Sequence, residues 1–371
     1  MTDLLVIGGG ITGQSAALAA AQAGAKVQIV DFGQNAGSHA NAGSLHVQMQ
    51  SRFLRLNPHL ADNLESSLPL YLDAVREWDR LDKLLGGVDL TREGGLMLAE
   101  NPQQMAFLEA KASRETAKGL SIELLDRAAL ETIAPYLGPD IFGAELCRDE
   151  GKLNPLIANQ KMEEHLRAHG VIRHADRITS IDSGPDPVAH GTNSYPADRI
   201  LVAAAWGGGT LARQLGLNLP TPPEPLHMNI TEPGAYAIRH LVQHAERPIT
   251  LKQFRSGQVV IGGGWPAGVG LEDGIAGVLH HSMLGNVALA AKIAPGIGGL
   301  RVLRTWAGYN TPVDGKATIG PVAQGARIHI ALPGDAGYTL GPIVGRTAAA
   351  LALGLDLPID PEPYSPRRWL T

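Results

Sequence analysis

The stretch from residue 4 to residue 31 constrains the fold more than any other part of the chain. It holds an apolar run at 4–7, then Gly8-Gly9-Gly10-Ile11-Thr12-Gly13, an alanine-rich run at 14–23, and a second apolar run that ends at Asp31. This order predicts a buried strand, a tight glycine turn, a helix of small residues and a second strand ending in an acid. A helix that begins at such a turn presents free backbone N–H groups to phosphates.

Each spacing in this unit has a physical role if a dinucleotide binds. Gly8 allows the tight turn, Gly10 lets the backbone approach a pyrophosphate, and Gly13 lets the helix pack closely on the sheet. Asp31 stands near the offset expected for a carboxylate that accepts a hydrogen bond from an adenosine ribose hydroxyl. The alternative is an ordinary glycine-rich turn, which the strand, helix and acid together disfavour. The pattern therefore indicates a Rossmann-like nucleotide-binding unit.

Composition narrows the class of protein. A chain of 371 residues predicts two domains, or one domain with a large insertion. The net charge of -5 gives no electrostatic reason to expect nucleic acid or an anionic membrane as a partner. The single cysteine, Cys147, excludes an internal disulfide and a cysteine metal cluster, and no metal site is expected. Without a basic N-terminal region or an apolar run of membrane-spanning length, we expect a cytoplasmic protein with no transmembrane segment.

A second glycine turn lies near the other end of the chain. The apolar run 328–332 predicts a strand, Pro333-Gly334-Asp335-Ala336-Gly337 a turn, and the small residues at 341–354 a helix. Two turns of this type at opposite ends of the chain favour one long cofactor held at both ends. They therefore favour FAD over NAD. Between the two turns, the residues at 89–98 predict a hairpin.

Four stretches together carry a resemblance to a known family. They are 8–13 with Asp31, 38–44, 203–207 with the sequel 217–225, and 306–308 continuing through 314–315 and 320–321 to 339–342. On these residues the chain resembles the D-amino-acid oxidase superfamily of flavoproteins, in the branch of glycine oxidase and sarcosine oxidase. Within that branch it is most similar to the flavin subunits of multi-subunit opine, hydroxyproline or glycine dehydrogenases.

The resemblance implies a fold and a domain division. The fold is α/β, with a Rossmann-like FAD-binding domain and a discontinuous α+β substrate domain built on a mostly antiparallel sheet. Residues 1–85, 145–222 and 305–371 are expected to form the FAD-binding domain, and residues 86–144 and 223–304 the substrate domain.

The resemblance also implies which residues hold FAD. Asp335 is added on its own chemistry, as an acid at a helix start beside the ribityl chain, where a helix N-cap is the alternative. The cofactor-binding candidates are Gly8, Gly10, Ile11, Thr12, Gly13, Asp31, Ser38, Ala42, Gly43, Ser44, Ile178, Gly334, Asp335, Ala336, Gly337, Tyr338 and Thr339.

The activity implied is oxidation of the C–N bond of a small amino acid or secondary amine by hydride transfer to flavin, followed by hydrolysis of the imine. The substrate class includes D-amino acids, hydroxyproline, glycine, sarcosine and opines. One alternative is a flavin-holding subunit with little activity alone and with heteromeric partner subunits. The other is an NAD(P)-dependent dehydrogenase that uses the same N-terminal turn.

Departures from the family pattern define the catalytic candidates. Glycine-oxidase-like proteins have a carboxylate-binding arginine shortly after the Trp-Ala-Gly motif, where this chain has Asn310 after Tyr309. An amide is a poor bidentate partner for a carboxylate. Arg52, Arg55 or Arg304 then supplies the cation, or the substrate is not a simple amino acid. His46, just after the flavin loop, is a candidate for tuning the flavin or the substrate amine, with a buried core histidine as the alternative. His46, Arg52, Tyr309 and Asn310 are therefore the catalytic candidates.

Two further features bear on the flavin. Covalent-flavin relatives use a late cysteine or an early histidine, and neither Cys147 nor His39 stands in the matching register. Sarcosine oxidases have a lysine thought to activate oxygen, and Lys252 is only the nearest lysine to that position. This favours a dehydrogenase over an oxidase.

Overall fold

A computed structural model describes residues 2–33, 37–269 and 275–371. The strands are β1 (Leu4–Ile7), β2 (Val27–Asp31), β3 (Ser44–Leu45), β4 (Gly95–Ala99), β5 (Ile122–Asp126), β6 (Gly143–Cys147), β7 (Gly151–Lys152), β8 (Ile172–Ala175), β9 (Ser180–Asp182), β10 (Val188–His190), β11 (Ser194–Pro196), β12 (Ile200–Val202), β13 (Glu224–Thr231), β14 (Leu241–His244), β15 (Thr250–Gln253), β16 (Val259–Gly262), β17 (Val302–Asn310), β18 (Thr318–Pro321) and β19 (Ile328–Leu332). The α-helices are α1 (Ile11–Gln22), α2 (Ser51–Leu56), α3 (Ala61–Leu84), α4 (Pro102–Ala117), α5 (Arg127–Ile133), α6 (Pro155–Ala168), α7 (Gly208–Gln214), α8 (His280–Ile293) and α9 (Gly337–Leu353).

The first sheet has six strands in the order β18-β19-β12-β1-β2-β8. Strands β19, β12, β1, β2 and β8 are parallel, and β18 joins the edge antiparallel. Strand β1 consists of four fully buried apolar residues, because both faces of this parallel sheet are covered. The glycine turn after β1 leads directly into α1. The predicted Rossmann-like unit is confirmed.

Helix α1 packs against α9, the small-residue helix from the end of the chain. A side chain at Gly345 would place its Cβ atom 2.1 Å from the backbone oxygen of Thr12, so the two helices approach with almost nothing between their backbones. The small residues in both helices make this contact possible. It brings the second glycine turn beside the first.

The second sheet has eight strands in the order β17-β13-β16-β15-β14-β4-β6-β5. It is antiparallel except between β14 and β4, in agreement with the expected mostly antiparallel sheet. The predicted domain boundaries at 144/145 and 304/305 fall inside β6 and β17, both strands of this sheet.

The predicted hairpin at 89–98 is wrong. Only the part from Gly95 onward is a strand, and its partners are β6 and β14 rather than the preceding residues. Thr91 instead forms an isolated bridge to Lys152. The glycine pair at 94–95 redirects the chain into the larger sheet, where long-range pairing replaces the local turn.

Helix α3 fixes the position of the late glycine turn. Leu68, Val75 and Leu81, spaced at the helical period, form its buried stripe. On the same stripe, the buried indole of Trp78 donates hydrogen bonds to the backbone oxygens of Tyr338 (3.1 Å) and Thr339 (3.2 Å). The ring of Trp78 also stacks on that of Tyr338.

Candidate cofactor and substrate site

A cavity of about 770 Å³ lies where the two sheets meet. The first glycine turn, the loop at 37–46, the segment at 203–207 and the late turn at 332–339 line it on the side of the parallel sheet. Strands of the larger sheet contribute the opposite wall. One continuous cavity thus joins the segments that sequence assigned to a cofactor and to a substrate.

Most of the predicted site residues line this cavity. Gly13 and Gly43 do not: Gly13 lies beneath the turn, where a Cβ atom would be 1.9 Å from the oxygen of Gly8, and Gly43 accepts a backbone hydrogen bond from Leu153. The predicted residues that line the cavity are Gly8, Gly10, Ile11, Thr12, Asp31, Ser38, Ala42, Ser44, His46, Arg52, Ile178, Tyr309, Asn310, Gly334, Asp335, Ala336, Gly337, Tyr338 and Thr339.

Two side chains accept hydrogen bonds from the backbone of the first glycine turn and of the residues beside it. The carboxylate of Asp31 accepts hydrogen bonds from the backbone N–H groups of Gly9 (2.5 Å) and Gly33 (2.7 Å). The hydroxyl of Ser38 accepts one from the N–H of Ile11 at 2.8 Å. Gly10, at the N-cap of α1, has no side chain, so the hydroxyl of Ser38 is the side-chain group that lies against the helix start on this side of the cavity. This cradle suits a pyrophosphate.

The late turn presents an unused acceptor. Asp335 accepts a hydrogen bond from the backbone of Val313, whereas its Oδ2 atom is buried and has no partner among the described residues. Burial, together with the charge of Glu224, raises the pKa of Asp335 to about 6. Its side chain does not cap α9, whose N-cap is Ala336, so the alternative role as an N-cap is not observed. A buried free oxygen beside a glycine turn fits the hydroxyls of a ribityl chain.

His46 is the predicted catalytic residue with the most defined surroundings. Its backbone N–H donates to the hydroxyl of Thr339 at 3.1 Å, which ties it to the late turn. Burial, with a smaller contribution from the charge of Lys252, lowers the pKa of His46 to about 3. The imidazole is therefore neutral at physiological pH, and it lines the cavity.

Lys252, which the sequence placed only near the position of the oxygen-activating lysine, lies in the wall of the same cavity. The side chain is fully buried, lines the cavity and donates a hydrogen bond to the hydroxyl of Ser44 at 2.8 Å. Burial, reinforced by the charge of Lys152, lowers the pKa of Lys252 to about 7. Within the described ranges no carboxylate forms an ion pair with it. An amine of this kind is available to a ligand.

The three arginine candidates separate clearly. Arg52 lines the cavity, its guanidinium rests against Gly264, and no described carboxylate pairs with it. Arg55 instead bonds the oxygen of Ala245 at 3.0 Å and pairs with Glu246. Arg304 lies over the ring of Trp306, outside the cavity lining. Of the three candidates, Arg52 is the one that lines the cavity.

Sequence reasoning missed a buried polar network behind this wall. Glu150, Gln48 and Gln243 are buried together, and the amide groups of both glutamines donate to the carboxylate of Glu150. Lys111 donates to the carboxylates of Glu115 (2.8 Å) and Glu145 (2.9 Å) and reaches the oxygen of Gln48 at 3.3 Å. Burial raises the pKa of Glu150 to about 7. No local pattern marks Glu150, since only the tertiary fold buries it.

The two residues considered for covalent flavin attachment lie outside the cavity lining. Cys147 is fully buried in β6, and burial raises the pKa of its thiol. His39 is exposed, although its neighbours Ser38 and Ala40 line the cavity. Over the described ranges no set of histidine, cysteine and acidic side chains could hold a metal ion. Among these residues, no helix is long and apolar enough to cross a membrane.

One cavity joins the parallel sheet and its two glycine turns, one from each end of the chain, to a mostly antiparallel sheet. This arrangement defines a flavoprotein oxidoreductase. The chain belongs to the family described as "FAD dependent oxidoreductase" (DAO), whose model matches residues 3–351. Its cofactor is accordingly FAD, and the predicted resemblance and fold class are confirmed. The alternative of an NAD(P)-dependent dehydrogenase is not supported.

Individual relatives are distant but cover the chain. It is 24% identical over 364 residues to a glycine oxidase of Bacillus licheniformis, covering 95% of this chain and 93% of that protein. It is 24% identical over 326 residues to an opine oxidase subunit of Agrobacterium tumefaciens (strain Ach5), covering 83% and 81%. The structure of glycine oxidase from Geobacillus kaustophilus matches the fold with a TM-score of 0.85 at 19% identity, covering 100% of this chain and 99% of that one.

Proposed function

We propose that this protein oxidises the C–N bond of a small amino acid or secondary amine. FAD, when bound, accepts the hydride, and the resulting imine is released to water for hydrolysis. The chain's own residues bind and orient the substrate. The observation that carries the proposal is one continuous cavity. In it, the guanidinium of Arg52, which is unpaired among the described residues, and the neutral imidazole of His46 face the same space as the cofactor-binding turns.

The polar groups of the cavity suit such a substrate. Arg52 offers a planar pair of N–H donors to a carboxylate. The neutral ring of His46 offers a lone pair to an amine N–H. Tyr309 is buried and lines the same wall as Asn310, against the ring of Trp206. We assign His46, Arg52 and Tyr309 to substrate binding and the residues of the two glycine turns to FAD.

The experiment that tests this proposal is an anaerobic absorption measurement. The purified holoenzyme is mixed without oxygen with glycine, sarcosine, proline, hydroxyproline, D-amino acids and opines. Bleaching of the oxidised-flavin bands by one of these amines supports the proposal and identifies the substrate class. A flavin that dithionite reduces but none of these compounds bleaches would overturn activity of the isolated chain.

A second candidate is a flavin-holding subunit that needs a partner for activity. Its support is the likeness to a relative that is itself named as a subunit. Size-exclusion chromatography with light scattering, followed by the same bleaching test after co-expression with neighbouring gene products, separates the two. Activity that appears only in a heteromeric complex favours this candidate.

The electron acceptor is a finer part of the proposal. The sequence favoured a dehydrogenase because Lys252 is only near the position of the lysine thought to activate oxygen in sarcosine oxidases. In the structure, however, Lys252 lines the cavity. We therefore include oxygen as an acceptor, tested by oxygen uptake of the reduced enzyme with and without Lys252→Met.

We also propose that the chain divides into the FAD-binding and substrate domains predicted from sequence. We further propose that it is cytoplasmic, in keeping with its single buried cysteine.

A further inference from the structure

A buried carboxylate lies beside His46 and has no role in the chemistry proposed above. Glu150 is fully buried, and its Oε1 atom is 3.9 Å from the Nδ1 atom of His46. That ring nitrogen is buried and has no hydrogen-bond partner among the described residues. The rest of the imidazole lines the cavity. One edge of the ring thus faces a carboxylate and the other faces the substrate space.

The contacts of Glu150 favour the ionised form of its carboxylate, and although burial raises its pKa to about 7, this form predominates at pH 8. Its Oε1 atom accepts the backbone N–H groups of Val47 (2.8 Å) and Gln48 (3.2 Å). Its Oε2 atom accepts the side-chain amides of Gln48 (3.0 Å) and Gln243 (2.9 Å). All four partners are donors, and a protonated carboxyl group would point its own hydrogen at one of them. No described lysine or arginine bonds it directly, and Lys111 is reached only through Gln48.

We infer that Glu150 fixes the tautomer of His46, with the proton on Nδ1 facing the carboxylate and the lone pair of Nε2 facing the cavity. A neutral imidazole carries one donor and one acceptor, and a neighbouring anion attracts the donor. The free Nε2 atom then accepts a hydrogen bond from the nitrogen of an amine substrate. This role of Nε2 rests on the proposed function, and it makes Glu150 a positioning residue that acts through His46.

The surroundings of His46 agree with a hydrogen bond rather than a proton transfer. Lys252 donates to Ser44 two residues away and contributes positive charge that disfavours a charged imidazole. The backbone of His46 is held from the other side by Thr339. The backbone that carries the ring is therefore fixed and the ring is neutral, so its tautomer decides what it offers to the substrate.

The tautomer is measured directly on the FAD-loaded enzyme labelled with ¹⁵N-histidine. Long-range ¹H–¹⁵N correlation spectra at pH 8 distinguish the two neutral forms, and the signal of His46 is the one missing in His46→Asn. We expect the Nδ1–H form in the wild type and a mixture or the Nε2–H form in Glu150→Gln. A wild type with the proton on Nε2 overturns the inference without need of any variant.

The surroundings of Glu150 can accommodate the substitution Glu150→Gln, and the same network offers a control variant. The Oε1 atom of Gln243 is buried without a partner among the described residues, so this side chain can turn and accept the new amide's N–H. The control is Glu145→Gln, in the same network beyond Lys111. Burial raises the pKa of Glu145. Its side chain connects to Glu150 only through Lys111 and Gln48, and glutamine keeps an oxygen that can accept the hydrogen bond of Lys111. The tautomer of His46 should be unchanged in this control, and a change there would contradict a specific role for Glu150.

A kinetic measurement tests the role of Nε2. Anaerobic flavin reduction by glycine, sarcosine and proline should be about tenfold less efficient in Glu150→Gln, as expected for loss of one hydrogen bond to the substrate. It should stay within about twofold in Glu145→Gln. If none of these amines reduces the wild type, the proposed function fails while the spectra still decide the tautomer. If the tautomer changes but reduction by amines does not, the role of Nε2 is overturned.

Discussion

The side-chain amide of Asn310 donates a hydrogen bond of 3.0 Å to the carboxylate of Glu224, directly opposite it on the neighbouring strand. Glycine-oxidase-like proteins have a carboxylate-binding arginine at this place. In this chain the donor at 310 is already bound to a negative charge that lines the cavity. This corner therefore repels a substrate carboxylate, which has to lie elsewhere.

Removing that negative charge should strengthen the binding of carboxylates. In Glu224→Gln we expect the Kd of a simple carboxylate such as acetate to fall by about threefold to tenfold, because a like charge at short range no longer opposes it. Titration of the flavin absorption spectrum measures the Kd. Asn310→Asp, which adds a second negative charge, is the matched variant of opposite sign and should weaken binding. Weaker binding in Glu224→Gln would contradict this account of the corner.

Arg52 is the group expected to receive the carboxylate. Replacement by Met should raise the Kd of glycine or acetate by about tenfold to 100-fold, the loss expected for a charge-assisted hydrogen bond. The FAD spectrum should be unchanged, since Arg52 is assigned to the substrate. Arg55→Met, on the same short helix but directed to Glu246, is the control and should leave Kd near the wild-type value. Equal effects of both substitutions would show that helix α2, rather than the guanidinium of Arg52, matters.

The close contact of α1 and α9 gives a prediction about stability. In Gly345→Ala the new methyl group would lie 2.1 Å from the oxygen of Thr12, so the helices have to separate. We expect a loss of about 3 kcal/mol or more in the free energy of unfolding, and weaker FAD binding, because α1 carries the first glycine turn. Denaturant unfolding and FAD titration measure both.

The matched control for that helix contact is Gly208→Ala in α7. Nothing lies within 4 Å of a Cβ atom there, and its backbone is ordinary helix. Alanine should be neutral or stabilise by up to about 1 kcal/mol. A Gly345→Ala variant as stable as this control would show that α1 and α9 adjust to each other.

The parts of the fold that sequence predicts are those encoded by neighbouring residues. The first turn is a contiguous unit in which strand, glycines, helix and Asp31 follow one another within 31 residues, and it forms as expected. The stripe of α3 is likewise local, because residues three and four apart share one face. The hairpin at 89–98 failed for the opposite reason: the partners of Gly95 come from β6 and β14, far away in the chain.

The substrate side of the site depends on such distant partners. Lys252 meets Ser44 across 208 residues of chain, and Glu150 meets the backbone of Gln48 across 102. Sequence alone does not distinguish a buried lysine or glutamate from an exposed one, and most of these residues are exposed. Sequence therefore predicted His46 and Arg52, which follow the flavin loop directly and line the cavity, but it did not indicate Glu150 or the place of Lys252 in the cavity.

The buried amine of Lys252 gives a prediction about pH. Because its pKa is lowered from 10.5 to about 7, the folded protein binds fewer protons than the unfolded chain between those values. Its contribution to stability therefore improves as pH rises from 7 to 10.5, and below pH 7 its burial cost is constant and largest.

Lys252→Met removes that cost. With each pKa unit worth about 1.4 kcal/mol, the variant should be a few kcal/mol more stable than the wild type at pH 6, and the difference should shrink towards pH 10. Urea unfolding at several pH values, with FAD at one saturating concentration, measures this difference, and the exposed Lys83→Met is the control with no pH-dependent gain. A difference that stays constant from pH 6 to pH 10 would mean that Lys252 remains charged throughout, held by an anion in the cavity.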